Sequence, residues 1–279
     1  MPVITALSES AAPLVVCIPG SGYDARYFDA PGCSFLDRLA GCGHRAIALT
    51  RPGYPADAAS AASRPGFAGQ AAVLDEEIAD AWARFGDGCS GVVLLGHSVG
   101  GAVALHLAAR APGWPLLGVA VSGVGDRPAP GAAGHFAAIP DGTVWTPEYA
   151  SVRRMFYGPP GTVDASAEPV LAGLLVAMPS GDPIEVNTSW PAELPELAAR
   201  VRVPVLHAFA EHERLWQTDG ERQARFAEMF GSSPFVETHR IAGVGHNIEH
   251  HRGAQRFAEV VSRFAHRCEL QRNAAAEQS

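Results

Sequence analysis

The sequence predicts an α/β fold: a mostly parallel sheet flanked by helices on both faces. Three observations carry this. Runs such as Leu14–Ile18 and Val92–Leu95 are apolar without polar alternation, the pattern of strands covered on both sides. Segments with helical spacing of apolar residues lie between such runs, long enough to be the crossovers that parallel strands require. Gly96-His97-Ser98-Val99-Gly100 falls where one apolar run gives way to a helix-prone stretch of small residues. A chain of 279 residues can bury a large core of this kind.

Taken in order, residues 3–7 add a short edge strand. Leu14–Ile18 is the first clear strand, closed by Pro19-Gly20-Ser21-Gly22. Phe35, Leu36 and Leu39 mark a helix over 33–41. Arg45–Leu49 is the second strand, followed by Thr50-Arg51-Pro52-Gly53-Tyr54. Over 68–85, Ala72, Leu74, Ile78, Trp82 and Phe85 recur at roughly helical spacing, with Asp75, Glu76, Glu77 and Asp80 near the start. After Val92–Leu95 comes a helix over 99–110, then a strand, Leu116–Ser122.

From residue 127 to residue 200 the rhythm breaks. Prolines from Pro128 to Pro195 punctuate scattered aromatics, yet the stretch is too apolar for a disordered linker. Within it, Leu171–Met178 is expected to be a helix. The α/β pattern resumes with a strand at Val203–Phe209, a helix over 219–230, a last strand at Phe235–Ile241 and a closing helix over 252–267. The polar end, from about Arg272, is expected to fray. The resulting division is 1–126, 127–200, 201–268 and a flexible tail at 269–279.

Composition narrows the partners. A net charge of −8 without a basic stripe argues against nucleic acid and anionic membranes. Every basic residue is Arg, so Schiff-base chemistry on a lysine, lysine-bound pyridoxal phosphate and a Walker-type phosphate loop are excluded. No cofactor is expected. Cys17, Cys33, Cys42, Cys89 and Cys268 are odd in number and form no C-x-x-C, which supports neither a disulfide framework nor a zinc site. Cys17 and Cys89, beside apolar strands, read as packing residues. The start of the chain lacks a basic-then-apolar leader and no run approaches a membrane span, so a cytoplasmic setting is the expectation.

The turn at Ser98 is the chemical centre. A reversal from strand to helix within about two residues holds its middle residue in strained geometry and needs very small neighbours. Gly96 and Gly100 supply them. The serine hydroxyl then stands at a helix N-terminus, where N–H groups and the helix dipole favour negative charge. Serine needs a base to take its proton. Of the histidines, His246 lies in the glycine-bearing loop Ala242-Gly243-Val244-Gly245-His246-Asn247, just after the last strand and able to reach back over the sheet edge. His250 and His251 read as solvent-facing or pocket-rim residues. A metal site made of these three lacks carboxylate support, and no metal is expected.

Gly96-His97-Ser98-Val99-Gly100-Gly101 resembles the nucleophile elbow of the α/β-hydrolase superfamily, and the resemblance covers most of the chain. It implies an α/β-hydrolase fold with a lid inserted at 127–200, between the strand after the elbow helix and the acid-bearing strand. Residues 19–22 align with the family's oxyanion loop, with Pro19 where His is common. The implied donors are the N–H groups of Ser21 and Val99. Thr50–Tyr54 is similar to a family loop, with Thr50 in place of Asp, that shapes the site. In Ala210-Glu211-His212-Glu213, Glu213 falls on the acid position, with Ala for Gly and Glu for Asp as departures. Asp126, at the end of an earlier strand, is the rival acid, and Glu211 a lesser one.

The resemblance implies a Ser98–His246–Glu213 triad working through an acyl-enzyme. Gly20, Gly22, His97, Trp145 and Phe156 are the expected substrate contacts, and a hydrophobic small-molecule ester or lactone the expected substrate. A thioesterase or acyltransferase, and a non-hydrolytic member (lyase, C–C bond hydrolase or ligand receptor), remain alternatives. Arg153-Arg154 reads as a solvated pair, or as a grip for a carboxylate or for coenzyme A phosphates.

Overall fold

The computed structural model of the chain describes residues 3–4, 12–55, 64–137 and 139–277. In chain order, the strands among them are Val3–Ile4 (β1), Leu14–Ile18 (β2), Ala46–Ala48 (β3), Val92–His97 (β4), Leu116–Ser122 (β5), Val144–Trp145 (β6), Met178–Pro179 (β7), Val205–His212 (β8) and Val236–Gly245 (β9). The α-helices are Phe35–Gly41 (α1), Phe67–Phe85 (α2), Val99–Ala109 (α3), Pro130–Ala137 (α4), Tyr149–Phe156 (α5), Glu168–Ala172 (α6), Gly181–Thr188 (α7), Trp190–Ala198 (α8), Gly220–Glu228 (α9) and Ala254–Ala276 (α10).

The main sheet has seven strands in the order β1-β3-β2-β4-β5-β8-β9. All pair in parallel except β1, an antiparallel edge strand on β3. Of the edge strand expected at 3–7, residues 5–7 lie outside the described residues. β2 shows why the central runs are apolar throughout. Leu14, Val16 and Ile18 join a core shared with α2 and α3, while Val15 and Cys17 join the opposite core with α1 and α10.

Local chemistry sets the helix ends. Ser34 caps α1 by accepting the N–H of Asp37 at 3.1 Å, and Asp219 caps α9 by accepting that of Arg222 at 3.0 Å. The buried face of α2 is Phe67, Gln70, Ala71, Leu74, Ile78 and Ala81, with Ala72, Trp82 and Phe85 at its margin.

Some boundaries differ from expectation. Of the helix expected at Leu171–Met178, only Leu171 and Ala172 are helical. α6 starts earlier, with Pro169 in its first turn, and closes at Gly173, whose N–H bonds the carbonyl of Pro169. The chain then runs extended, gives the N–H of Val176 to the carbonyl of Gly22 at 2.9 Å and pairs β7 with β6. β9 continues past Ile241 to Gly245 beside a register shift in β8. The expected flexible tail at 269–279 is helical as far as Ala276, because Glu269, Leu270, Gln271, Arg272 and Ala274–Ala276 are good helix formers and no Gly or Pro interrupts them.

The chain leaves β2 to one side to form β3, then crosses back to form β4 on the other. This reversal opens a crevice at the carboxyl ends of β2 and β4, where open α/β sheets place ligands. Residues 123–204, between neighbouring strands β5 and β8, hold α4–α8 and the small β6–β7 sheet. α7 and α8 rest on α3, and the indole of Trp190 donates to the carbonyl of Gly125 at 2.9 Å.

Candidate active site

β4 delivers Ser98 to the start of α3 with φ +53° and ψ −125°, a conformation that non-glycine residues rarely adopt. Its neighbours explain how the turn closes. A Cβ on Gly96 would lie 2.4 Å from the carbonyl oxygen of Gly100, and one on Gly100 would lie 2.2 Å from that of Ile18. The strained residue is held by its own backbone: its N–H donates to Ser122 at 2.7 Å and its carbonyl accepts from Gly101 at 2.8 Å. Gly20 closes the other side, since a Cβ there would lie 2.9 Å from that of Ser98.

A cavity of about 250 Å³ opens above this turn. One end holds Gly20, Ser21, His97, Ser98, Val99 and His246. Its remaining wall is mostly apolar, with Phe136, Trp145, Phe156, Leu175, Met178 and Val186. Gly22, an expected substrate contact, is not among the lining residues. It turns at φ +78°, and the space over its Cα is filled by the sulfur of Met178 and the ring of Pro147. The other expected contacts, Gly20, His97, Trp145 and Phe156, do line it.

His246 follows β9 and Glu213 follows β8. The imidazole Nδ1 lies 2.9 and 3.0 Å from the two carboxylate oxygens of Glu213. One of these oxygens also accepts the N–H groups of Arg214 and Leu215, at 3.0 and 2.9 Å. Burial alone would raise the Glu213 pKa. The facing imidazole and the two N–H groups outweigh it and hold the carboxyl below its ordinary value. An ionised carboxylate only accepts, so the neutral form of the ring has its proton on Nδ1 and its lone pair on Nε2. The rings of Phe156 and His97 pack on His246, with centroids at 5.3 and 5.0 Å.

The rival acids are engaged elsewhere. Asp126 faces Arg222 and Arg225 at 3.4 and 3.9 Å. Glu211 accepts the N–H of Gly243 at 2.8 Å and faces Arg240.

His250 and His251 are not solvent-facing, being 2% and 1% exposed. His250 lies 2.8 Å from both the hydroxyl of Tyr157 and the carbonyl of Tyr27. Nε2 of His251 accepts the N–H groups of Gly158 and Gly245, each at 3.0 Å, so its proton sits on Nδ1 and goes to the carbonyl of Asn247 at 2.8 Å. Burial pushes the two down to about 3 and about 4. Among the described residues, no cluster of three or more His, Cys, Asp or Glu is arranged to hold a metal ion.

Two buried polar groups were not singled out from sequence. Beneath His97, Glu249 accepts from the hydroxyls of Tyr27 at 2.7 Å and Ser122 at 2.9 Å. His97 itself stacks on Tyr27 and lies 3.1 Å from the hydroxyl of Ser122 and 3.3 Å from the amide oxygen of Asn247. Burial raises the Glu249 pKa and lowers that of His97, so both favour their neutral forms. Beside Ser21, Asp182 at the start of α7 faces Arg51 at 2.7 Å and Arg64 at 3.1 Å. It also accepts from Ser21, Tyr54 and Gln70. Burial disfavours its carboxylate, but the two guanidiniums outweigh that and keep it ionised. The loop motif at Thr50–Tyr54 was visible in the sequence, but its buried arginine was not.

Arg153 is occupied, donating to Glu168 at 2.8 Å and to the carbonyl of Gly158 at 3.0 Å. Arg154 lies on the surface and bonds Ser151.

A doubly covered parallel sheet that presents a serine on a strand–helix elbow, with a carboxylate-backed histidine over the same cavity, is the architecture of an α/β hydrolase. A family model described as "Alpha/beta hydrolase family" matches residues 15–260, and the chain belongs to that family. Its fold is similar to that of the crystal structure of Paleococcus ferrophilus monoacylglycerol lipase, with a TM-score of 0.64, 16% identity and coverage of 95% of this chain and 97% of that one. A lipase-esterase related protein from Clostridium acetobutylicum ATCC 824 gives a TM-score of 0.64 at 16% identity, covering 95% and 98%. The thioesterase domain from the curacin biosynthetic pathway gives 0.60 at 14% identity, covering 94% and 98%. None of the curated proteins matches the chain. Among the described residues no helix is long and apolar enough to cross a membrane.

Proposed function

We propose that the protein is a serine hydrolase that cleaves a carboxylic ester or lactone of a hydrophobic small molecule. The observation that carries this reading is the Glu213–His246 pair, 2.9 Å apart, over the cavity that Ser98 enters from the elbow. Ser98 Oγ attacks the carbonyl carbon while its proton passes to Nε2 of His246. Glu213 stabilises the resulting imidazolium and keeps the ring in the reactive tautomer. The N–H groups of Ser21 and Val99 receive the negative oxygen of the tetrahedral intermediate. His246 then returns the proton to the leaving group. Water, activated by the same nitrogen, releases the acid from Ser98.

The apolar wall supports a neutral, hydrophobic substrate. Residues 127–200 act as a lid: β6, α5, β7 and α7 contribute Trp145, Phe156, Met178 and Val186 to the cavity. The ester reading is preferred to a coenzyme A thioester because Arg153 is already committed to Glu168.

Ser98→Ala is expected to abolish turnover of p-nitrophenyl esters and labelling by a fluorophosphonate. Turnover that survives this change would sink the assignment. Comparing an ester with the matching thioester separates the two acyl-transfer readings. Saturable small-molecule binding without labelling would point to a receptor instead.

A further inference from the structure

We infer that the buried Arg51–Asp182 pair is a positioning device for the oxyanion loop, clamping Pro19–Ser21 from behind and tying it to the helix that walls the substrate cavity. The inference rests on the proposal that the N–H of Ser21 is an oxyanion donor.

The clamp is closed on two sides. Arg51 Nε donates to the carbonyl of Pro19 at 2.9 Å, just before Gly20. Through another nitrogen the same guanidinium meets Asp182 at 2.7 Å. The same carboxylate oxygen of Asp182 accepts the side-chain hydroxyl of Ser21 at 3.2 Å and that of Tyr54. One rigid planar cation thus holds the loop directly at Pro19 and indirectly at Ser21. Its third nitrogen donates to Gln70 at 2.6 Å, and its face covers the Tyr54 ring at 4.4 Å. Neither side chain of the Arg51–Asp182 pair is exposed.

Such a pair is weak evidence for stability, because desolvation offsets most of its Coulomb gain. Its geometry is specific, however. Both ends act on the Pro19–Ser21 segment, and Asp182 begins α7, whose Pro183, Val186 and Asn187 line the cavity. The charge arithmetic also suits the site. A lone carboxylate behind an oxyanion would oppose the developing charge. Here Arg51 and Arg64 neutralise Asp182.

A misplaced donor weakens transition-state binding more than ground-state binding, so the signature is a loss in kcat with little change in KM. Ser21→Ala cuts the tether while keeping the backbone N–H, at a half-buried position where folding is not at stake. It is expected to lower kcat on p-nitrophenyl butyrate about tenfold with KM within about twofold. Loss of a whole donor, by comparison, costs about 10²- to 10³-fold. Ser21→Thr, which retains the hydroxyl, is expected to recover most of the loss. Asp182→Asn is expected to lower kcat more, by about 10²-fold.

The second readout is the inhibition constant of butylboronic acid, which adds to Ser98 as a tetrahedral adduct. It is expected to rise in step with the fall in kcat. Rates are taken per active site, counted by complete fluorophosphonate labelling, so that misfolded protein does not enter. Unchanged kcat and boronate affinity in Ser21→Ala and in folded Asp182→Asn would overturn the inference. So would a raised KM at constant kcat, which would reduce the cluster to a pocket wall. Failure of the underlying reading looks different: wild-type protein would neither turn over ester nor label at Ser98, and both proposals would fall together.

Discussion

Glu213, Asp182 and Glu249 have side chains almost wholly out of water, yet their surroundings push them in opposite directions. Glu213 and Asp182 face cations or N–H groups that overcome the cost of burial, and both are held low. At Glu249 the hydroxyls of Tyr27 and Ser122, a backbone hydrogen bond and the more distant His246 do not overcome the cost of burial, and it is held high. The consequences for stability have opposite signs. The contribution of Glu213 and Asp182 is present above about pH 4 and is lost as pH falls through their folded values. Glu249 holds its proton to higher pH in the folded state than in the unfolded chain, so it costs stability as pH rises from the unfolded value, about 4.3, toward the raised folded one. Glu249→Gln is therefore expected to gain in melting temperature relative to wild type as pH rises from 4 to 7. A gap independent of pH would show that Glu249 is ionised when folded. At the proposed site, Glu213→Gln is expected to lower kcat by about 10³- to 10⁴-fold, the effect of losing the tautomer-fixing carboxylate. Steady-state kinetics on an activated ester checks it, and a loss under tenfold would remove Glu213 from the triad.

At the scale of elements, the elbow shows what a sequence can reveal. An apolar run that stops at Leu95 and a helix that starts at Val99 leave room for one sharp turn, and only glycines tolerate its crowding. Gly100→Ala is expected to cost about 2–3 kcal/mol, at the upper end of overpacking penalties, because its Cβ would meet backbone rather than a flexible side chain. Urea denaturation measures this, and a cost below about 0.5 kcal/mol would mean that the turn relaxes. The strands of the central sheet were legible for a related reason: burial on both faces leaves Val15 and Val16 equally apolar. Leu171–Met178 was misread because an apolar run of that length carries no periodicity that separates helix from strand. Gly173 and the pairing of Met178 with Trp145 decided it. His250 and His251 misled in the opposite sense. In Asn247-Ile248-Glu249-His250-His251 the polar letters suggest a wet surface, and only partners far away in sequence, Tyr27, Tyr157 and Gly158, let them be dry.

At the scale of the molecule, the cavity is assembled across the sheet's reversal point by segments that meet only in the folded chain. Ser98, His246 and Glu213 each follow a recognisable strand, which brings them toward one sheet edge, but Asp126 follows a strand too, and in the sequence only the family resemblance prefers Glu213 to it. Asp182 could not be picked out, since its partners at 21, 51 and 54 lie more than a hundred residues earlier and nothing local marks it for burial. The same dependence on long-range packing makes the cavity wall the place to test the proposed substrate class. Val186 on α7 faces the cavity from the segment between β5 and β8, on an element separate from the elbow and the histidine loop. Val186→Phe adds a ring to a space of about 250 Å³. A single methylene in an apolar pocket changes discrimination by about 1–3 kcal/mol, so a phenyl group should shift the hexanoate-to-acetate ratio of kcat/KM by at least about tenfold toward acetate. If the acyl chain of the substrate instead points to solvent, both esters will fall equally or not at all. In that case the apolar wall between Trp145 and Val186 would be packing surface, and the case for a hydrophobic acyl group would lose its main support.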